Sequence, residues 1–398
     1  MSDLRTNLRE YIKDLEPQIV AWRRHFHQHP ELSFHEEKTP AKIAEILRGL
    51  EMDEVRTGVG GRGVVATLRG GQPGPTVAIR ADFDALPIQD QKDVPYKSTV
   101  PGVMHACGHD AHTSELLGLA TIFAQHRDQI PGTIRFIFQH AEEELPGGAV
   151  SMVEDGAVDG VDAIFGVHLW SMFPVGKAWI GTGPIMANAD DFIIDVKGKG
   201  GHGAIPQETV DAIVIGSQIV SNLQTIASRN VSPLDSVVVT VGTFNAGDNF
   251  NVIADSCRLT GTVRTFLPGV RDRAEQRLIE IAKGAATMLG GSAEVSYTRG
   301  YPAVINTEAE AAVAWEAAIE TFGAGSVERM EPMMGGEDFS YYLQKVPGAF
   351  LFVGAGNPEK GANWPHHHPR FDIDEKAMAY ASELLGRTVL GYLEKHRS

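Results

Sequence analysis

Apolar positions recur at helical spacing over residues 4–28, which lead into His29-Pro30-Glu31. They recur again over residues 39–50, closed near Gly49, so both stretches read as helices. The texture then changes. Residues 63–68 and 76–81 are short β-branched or apolar runs bounded by Gly and Pro, the mark of buried strands. Residues 113–125 form a strongly apolar helix, and 133–138 and 163–167 are further strands. Helices alternating with short apolar strands predict an α/β sheet covered on both faces.

Beyond Pro184 the order is strand 191–196, helix 209–226, strands 236–241 and 256–265, helix 270–288 and strand 293–297. That β-α-β-β-α-β order is the ferredoxin-like split motif, here inserted into a larger domain. From about Tyr301 the chain returns to helix and strand segments, ending in a helix over 375–395. A chain of 398 residues exceeds one ordinary hydrophobic core. The expected fold is therefore α/β: a larger domain of residues 1–184 and 300–398 with a mixed sheet flanked by helices, and an α+β domain of residues 185–299.

Composition narrows the function. Apolar residues at 43% and charged residues at 22% suit a folded globular protein. A formal charge of −16 argues against a nucleic-acid partner, which needs a basic face, and against docking on an anionic membrane. Residues 1–16 hold no continuous apolar stretch, and no run is long enough to span a bilayer. Cys107 and Cys257 are the two cysteines, so a disulfide framework is not expected and a cytoplasmic setting is.

The chemistry gathers at predicted strand ends. Met104-His105-Ala106-Cys107-Gly108-His109-Asp110 precedes the apolar helix, His140-Ala141-Glu142-Glu143-Glu144 follows strand 133–138, and His168 follows strand 163–167. In an open parallel sheet, ligands sit beyond the carboxyl ends of the strands, where these groups would converge. Imidazole, thiolate and carboxylate are donors for zinc and related metals. Of the adjacent Glu142 and Glu143, one can ligate while the other stays free as a general base.

At these residues the sequence resembles the M20 metallopeptidase family, in its amidohydrolase branch of hippurate hydrolases, N-acyl-amino-acid hydrolases and auxin-conjugate hydrolases. The likeness runs almost end to end. It is carried by Trp22 to Glu31, Arg80-Ala81-Asp82-Phe83-Asp84-Ala85-Leu86-Pro87, Met104 to His112, Gly166-Val167-His168-Leu169-Trp170, Gly200-Gly201-His202-Gly203-Ala204 and Gly335-Gly336-Glu337-Asp338-Phe339. The resemblance implies a catalytic domain with an inserted lid and a binuclear site of Cys107 (bridging), His109, Glu143, His168 and a late histidine. Pro369 and Phe371 set the register of that last ligand on His367. It also implies Glu142 as general base, His202 as a lid donor to the scissile carbonyl, often from the partner of a dimer, and Asn251 and Arg264 as substrate-binding positions.

The implied activity is metal-dependent hydrolysis of small N-acyl amino acids. The cofactors are two divalent ions, with zinc favoured and manganese, nickel or cobalt chemically acceptable. The expected assembly is a homodimer through the lid or a higher homo-oligomer. Asp82 and Asp84 are expected to orient ligands. His366 and His368 are expected as exposed loop imidazoles, and His140 as structural. The chain departs from the family at His140, which replaces a proline, and at the extra Glu144. Three other readings use the same residues: a dipeptidase or aminopeptidase, a thiol hydrolase with Cys107 as nucleophile, and a non-catalytic binding protein.

Overall fold

The computed structural model describes residues 2–397. The chain divides into two compact units: Met1–Gly183 with Val304–Glu331 and Asp338–Ser398, and Pro184–Ala303 with Pro332–Glu337.

The larger unit is built on an eight-stranded mixed sheet. Its order is Glu54–Val59, Gly63–Arg69, Pro131–Gln139, Gln72–Asp82, Ala163–Pro174, Gly348–Gly356, Ala178–Ile180 and Val327–Arg329. The middle four, from Pro131–Gln139 to Gly348–Gly356, run parallel, and their outer neighbours Gly63–Arg69 and Ala178–Ile180 run antiparallel to them. Every residue of Gly348–Gly356 is buried. A strand covered on both faces carries no alternation, only a continuous apolar run.

Helices Ser2–Gln28, His109–Gln125, Glu308–Phe322 and Lys376–Lys395 pack on one another and enclose one core with the sheet. His109–Gln125 is buried at every residue from His109 to Phe123, which explains its apolar sequence. A Cβ on Gly118 would come within 2.6 Å of Ile19 Cδ1, so the glycine permits close contact with the first helix. Helix Lys38–Gly49 is capped from outside. The Glu31 carboxylate accepts the N–H groups of Glu37, Lys38 and Thr39 at 2.8–3.1 Å, satisfying orphan donors at the positive end of the dipole.

The smaller unit is a four-stranded antiparallel sheet in the order Val237–Ala246, Ser256–Thr265, Asn188–Lys197, Ser292–Arg299. Helices Ala212–Leu223 and Pro268–Met288 cover the face bearing Phe192, Ile194, Val196, Leu259 and Val263. Along Asn188–Lys197 burial alternates, as it must where one face is packed. Asp211 caps the first helix by accepting the N–H groups of Ile213 and Val214, a contact typically worth about 1 kcal/mol. This is the ferredoxin-like α+β unit read from the sequence.

Three details depart from the sequence pattern. Residues 332–337 pack with the smaller unit, because Ala187 N–H is shared between the carbonyls of Met333 and Gly335 at 3.1 and 3.0 Å. The apolar helix begins at His109 rather than Thr113, its first turn being polar His-Asp-Ala-His. His168 lies within Ala163–Pro174, which runs on past the predicted strand end. Among the described residues, no helix is long and apolar enough to cross a membrane.

Candidate metal centre

Strand Pro131–Gln139 delivers the loop His140–Ala141–Glu142–Glu143, strand Gln72–Asp82 delivers Asp82 and Asp84, and strand Ala163–Pro174 carries His168. Cys107 and Gly108 lead into the helix beginning at His109, with Gly108 at φ 96°. These groups lie toward the carboxyl ends of the parallel strands, where such sheets place their chemistry.

The donors converge. One sulfur, nitrogen or oxygen from each of Cys107, His109 and Glu143 lies within 4.8 Å of the others, and the same holds for Cys107, His168 and His366. Cys107 Sγ is 3.5 Å from His168 Nε2. Glu143 Oε1 is 3.9 Å from His109 Nε2 and 3.3 Å from His367 Nε2. Glu142 Oε2 is 4.0 Å from His109 Nε2. Glu142 is buried, Glu143 half-buried and Glu144 exposed, so the extra carboxylate points to solvent.

Hydrogen bonds choose the imidazole tautomers. His109 Nδ1 donates to Asp84 Oδ1 at 3.0 Å, and His168 Nδ1 donates to the Leu169 carbonyl at 2.9 Å. Each bond turns Nε2 toward the cluster, where it can donate a lone pair once any proton on it is displaced. His112 differs: Nδ1 donates to Asp82 Oδ1 at 2.7 Å and Nε2 accepts Leu169 N–H at 3.0 Å. Both its nitrogens are engaged, which suits a support and not a ligand. Asp84 Oδ2 also accepts the Glu143 N–H at 3.0 Å, so one carboxylate orients both a ring and a neighbouring backbone.

The charge balance calls for cations. Burial alone would depress His109, yet Asp82 and then Asp84 hold it up to about 10. Burial first, then Glu143 and Glu142, pushes the Cys107 thiol well above its usual range. Protein groups therefore favour a thiol here, and a thiolate requires added positive charge. The buried His109 Nε2 has no hydrogen-bond partner among the described residues. An orphaned nitrogen, a sulfur and a carboxylate facing one another fit a divalent transition metal. The raised thiol also counts against a Cys107 nucleophile, which needs a lowered pKa.

Sequence reasoning singled out Cys107, His109, Glu142, Glu143, His168 and His367, and all six lie in this cluster. His366 is a correction. Rather than an exposed imidazole, it is half-buried, stacked on Trp170 at 4.2 Å, with Nε2 donating to the Leu169 carbonyl at 3.1 Å. His368 too is half-buried, stacked on Trp364 at 4.3 Å. Between them, His367 takes a left-handed φ of 63°. His140 is buried edge-on to Phe34.

Supporting groups whose partners the motifs did not reveal lie around the cluster. Arg80 donates to Asp82 at 2.7 Å, to Asp338 at 2.8 Å and to Gln139 at 2.8 Å, and Gln139 donates to Asp338. Arg23, fully buried, donates to Asp110 at 2.9 Å beside His27, whose Nδ1 is 2.7 Å from the same oxygen. Both arginines lie in the motifs quoted above, which give no indication of their partners.

In the smaller unit His202 and Asn251 are neighbours. His202 pairs with Val252, and Asn251 O accepts Gly203 N–H at 2.8 Å. Both side chains are exposed. His202 Nδ1 accepts Ala204 N–H at 3.1 Å, which leaves Nε2–H as an outward donor. Arg264 lies on Ser256–Thr265, its guanidinium folded onto Thr262 and the carbonyls of Val263 and Asp190.

Known proteins are similar to this chain. The model of peptidase family M20/M25/M40 matches residues 78–391. The N-acyl-L-amino acid amidohydrolase of Geobacillus stearothermophilus is 50% identical over 299 residues, covering 75% of this chain and 80% of the relative. The N-acetylcysteine deacetylase of Bacillus subtilis (strain 168) is 41% identical over 387 residues, covering 96% and 98%. The crystal structure of a Bacillus subtilis dinuclear metal-binding peptidase from the M20 family is similar with a TM-score of 0.83 at 38% identity, covering 96% of this chain and 99% of that one. With family, fold and donor set in agreement, the chain belongs to peptidase family M20/M25/M40, in its amidohydrolase branch, and is a metal-dependent amide hydrolase.

Proposed function

We propose that this chain hydrolyses the amide bond of small N-acyl amino acids, such as hippurate-like or N-acetyl compounds. The observation that carries the reading is the Glu142 carboxylate, 4.0 Å from His109 Nε2 at the edge of the Cys107, His109 and Glu143 donor group. A base set beside, and not within, a ligand cluster is what hydrolysis needs and mere binding does not. The Geobacillus and Bacillus relatives named above support the acyl-amino-acid class.

Cys107, His109, Glu143, His168 and His367 are the residues that would hold two divalent cations. The cysteine and histidine donors favour zinc, with manganese, nickel or cobalt also compatible. Such cations supply Lewis acidity and lower the pKa of the hydrolytic water toward about 7. Glu142 takes the proton of that water as its oxygen bonds to the acyl carbon. As the C–N bond breaks, Glu142 passes the proton to the leaving nitrogen. His202 Nε2–H donates to the oxyanion, an interaction whose loss typically costs about 10²–10³ in turnover. Asn251 and Arg264 are assigned to substrate binding, Arg264 to the carboxylate of the leaving amino acid.

A homodimer through the smaller unit fits its surface. Among the described residues, Val237–Ala246 is an edge strand with one unpaired side, and Ile213, Val214, Phe244, Phe250 and Val252 are exposed apolar groups on this unit.

The test is amino-acid release from a panel of N-acyl amino acids and dipeptides, before and after chelation, with metal add-back. Chelator-sensitive, metal-restored cleavage of the acylated substrates is expected. Preference for free dipeptides would replace the acylase reading with a dipeptidase one.

A further inference from the structure

The loop that carries Glu142 and Glu143 is pinned by two different buried carboxyl groups. Ala141, fully buried, adopts a left-handed φ of 50°. An alanine held there is out of its preferred conformations, so something must fix it. Strand pairing has ended: the last ladder contact of Pro131–Gln139 is Gln139 with Asp82. The Ala141 N–H is instead accepted by Glu36 Oε1 at 2.9 Å, from a side chain that is itself fully buried. The Ala141 carbonyl accepts Gly148 N–H at 2.9 Å, which closes the loop. Gly148 cannot be replaced without disturbance, since its Cβ would stand 1.9 Å from His140 O. Two residues on, the Glu143 N–H is accepted by Asp84 Oδ2 at 3.0 Å.

The two anchors therefore divide the loop. Asp84 holds the backbone of Glu143, while Glu36 holds the residue immediately before Glu142. We propose that Glu36 is a positioning residue for the general base: by accepting the Ala141 N–H it fixes the left-handed turn that aims the Glu142 carboxylate at the reacting centre. The assignment rests on the reading of Glu142 as base. Loss of the acceptor frees Ala141 to relax toward ordinary backbone angles and swings the following side chain. A displacement of about 1 Å in a catalytic group typically costs about 10²-fold in rate. Glu143 keeps its own anchor, so the ligand cluster is retained. Burial, and then Asp84, raise the Glu36 pKa to about 8 against smaller lowering effects of backbone hydrogen bonds, that of the Ala141 N–H included, and of Arg62. A glutamine is then a close mimic of the resident side chain, with the same acceptor.

The experiment compares Glu36→Gln, Glu36→Met and Glu142→Ala as metal-loaded full-length proteins, with N-benzoylglycine as substrate. Metal content, thermal midpoint and hydrogen exchange at the Ala141 amide are measured alongside kcat and KM. Glu36→Met fills the same space without an acceptor. Its kcat should fall about 10²-fold with KM within about threefold and two metals retained, while the Ala141 amide loses protection. Glu36→Gln should restore both turnover and protection. Wild-type kcat in Glu36→Met, a Glu36→Gln variant as impaired as Glu36→Met, or metal lost together with turnover would each overturn the proposal. The control separates the two readings. An active Glu142→Ala removes the base assignment itself, whereas an inactive Glu142→Ala beside an unaffected Glu36→Met removes only the positioning role.

Discussion

Asp84 Oδ1 lies 3.0 Å from His109 Nδ1 and the Asp84 carbonyl 3.1 Å from it, and together they turn Nε2 of His109 to the cluster. The same carboxylate accepts Ser33 Oγ–H at 2.6 Å and the Glu143 N–H at 3.0 Å, so it is fixed on three sides. Burial raises its pKa, but the hydrogen bond and charge of His109, with the Ser33 and Glu143 hydrogen bonds, together outweigh this and hold it below the usual carboxylate range. A charged, oriented partner of this kind makes the imidazole a better donor.

Asp84→Asn should therefore lower metal affinity about 10- to 100-fold while the fold persists. Competition with a chromophoric chelator reads this directly. Unchanged affinity would mean that the Asp84 carbonyl, 3.1 Å from His109 Nδ1, and packing suffice to orient the ring.

Glu142→Ala should keep its metal and lose turnover by at least about 10²-fold. His367→Ala should instead lose metal, because its Nε2 stands 3.3 Å from Glu143 Oε1. His366 is the comparison, since its Nε2 is already committed to the Leu169 carbonyl. Elemental analysis of both histidine variants checks the assignment: full occupancy in His367→Ala with loss in His366→Ala moves the last ligand by one residue.

Arg23 is fully buried and donates to Asp110, Asp372 and Glu375 at 2.6–3.2 Å. Removing the guanidinium leaves buried carboxylates without their counter-charge. Arg23→Met should cost about 3–5 kcal/mol in urea denaturation, the range for breaking one side of a buried ion pair. A cost under about 1 kcal/mol would show that His27 and water take over the role.

Glu115 sits inside helix His109–Gln125, fully enclosed, and neither carboxyl oxygen has a hydrogen-bond partner among the described residues. Burial, and then Asp82, push its pKa well above the ordinary 4.5. The folded state thus holds a proton that the unfolded chain releases. Its stabilising contribution is complete below about pH 4.5 and is lost as pH rises toward the folded value. Glu115→Gln cannot ionise, so relative to wild type it should gain stability with rising pH, by up to about 1.4 kcal/mol per unit. A pH-independent difference in denaturation midpoints between pH 5 and 8 would contradict this.

Much of the fold was legible because period and burial coincide. Strand Ser256–Thr265 alternates along the chain as it does in the structure, and helix Pro268–Met288 starts two residues before its predicted bound because Pro268 suits a first helical turn. Strand Glu54–Val59 was not legible. It is largely exposed at the sheet edge, and its residues Glu-Val-Arg-Thr-Gly-Val form a strand only by pairing with Gly63–Arg69. Likewise, the apolar run of Gly348–Gly356 is compatible with strand or buried helix until its neighbours are present.

For the site, the sequence by itself determined the donor types and their order, because ligand chemistry is a property of side chains, and it placed Glu142 and Glu143 just beyond a strand end, though not His168, which lies inside its strand. Tertiary structure alone decided the rest. That Glu36 meets Ala141 across 105 positions, that Arg80 meets Asp338 across 258, and that both nitrogens of His112 are consumed by Asp82 and Leu169 are facts of packing. A buried polar group must find a partner wherever the fold supplies one, and no local period encodes which distant residue that is.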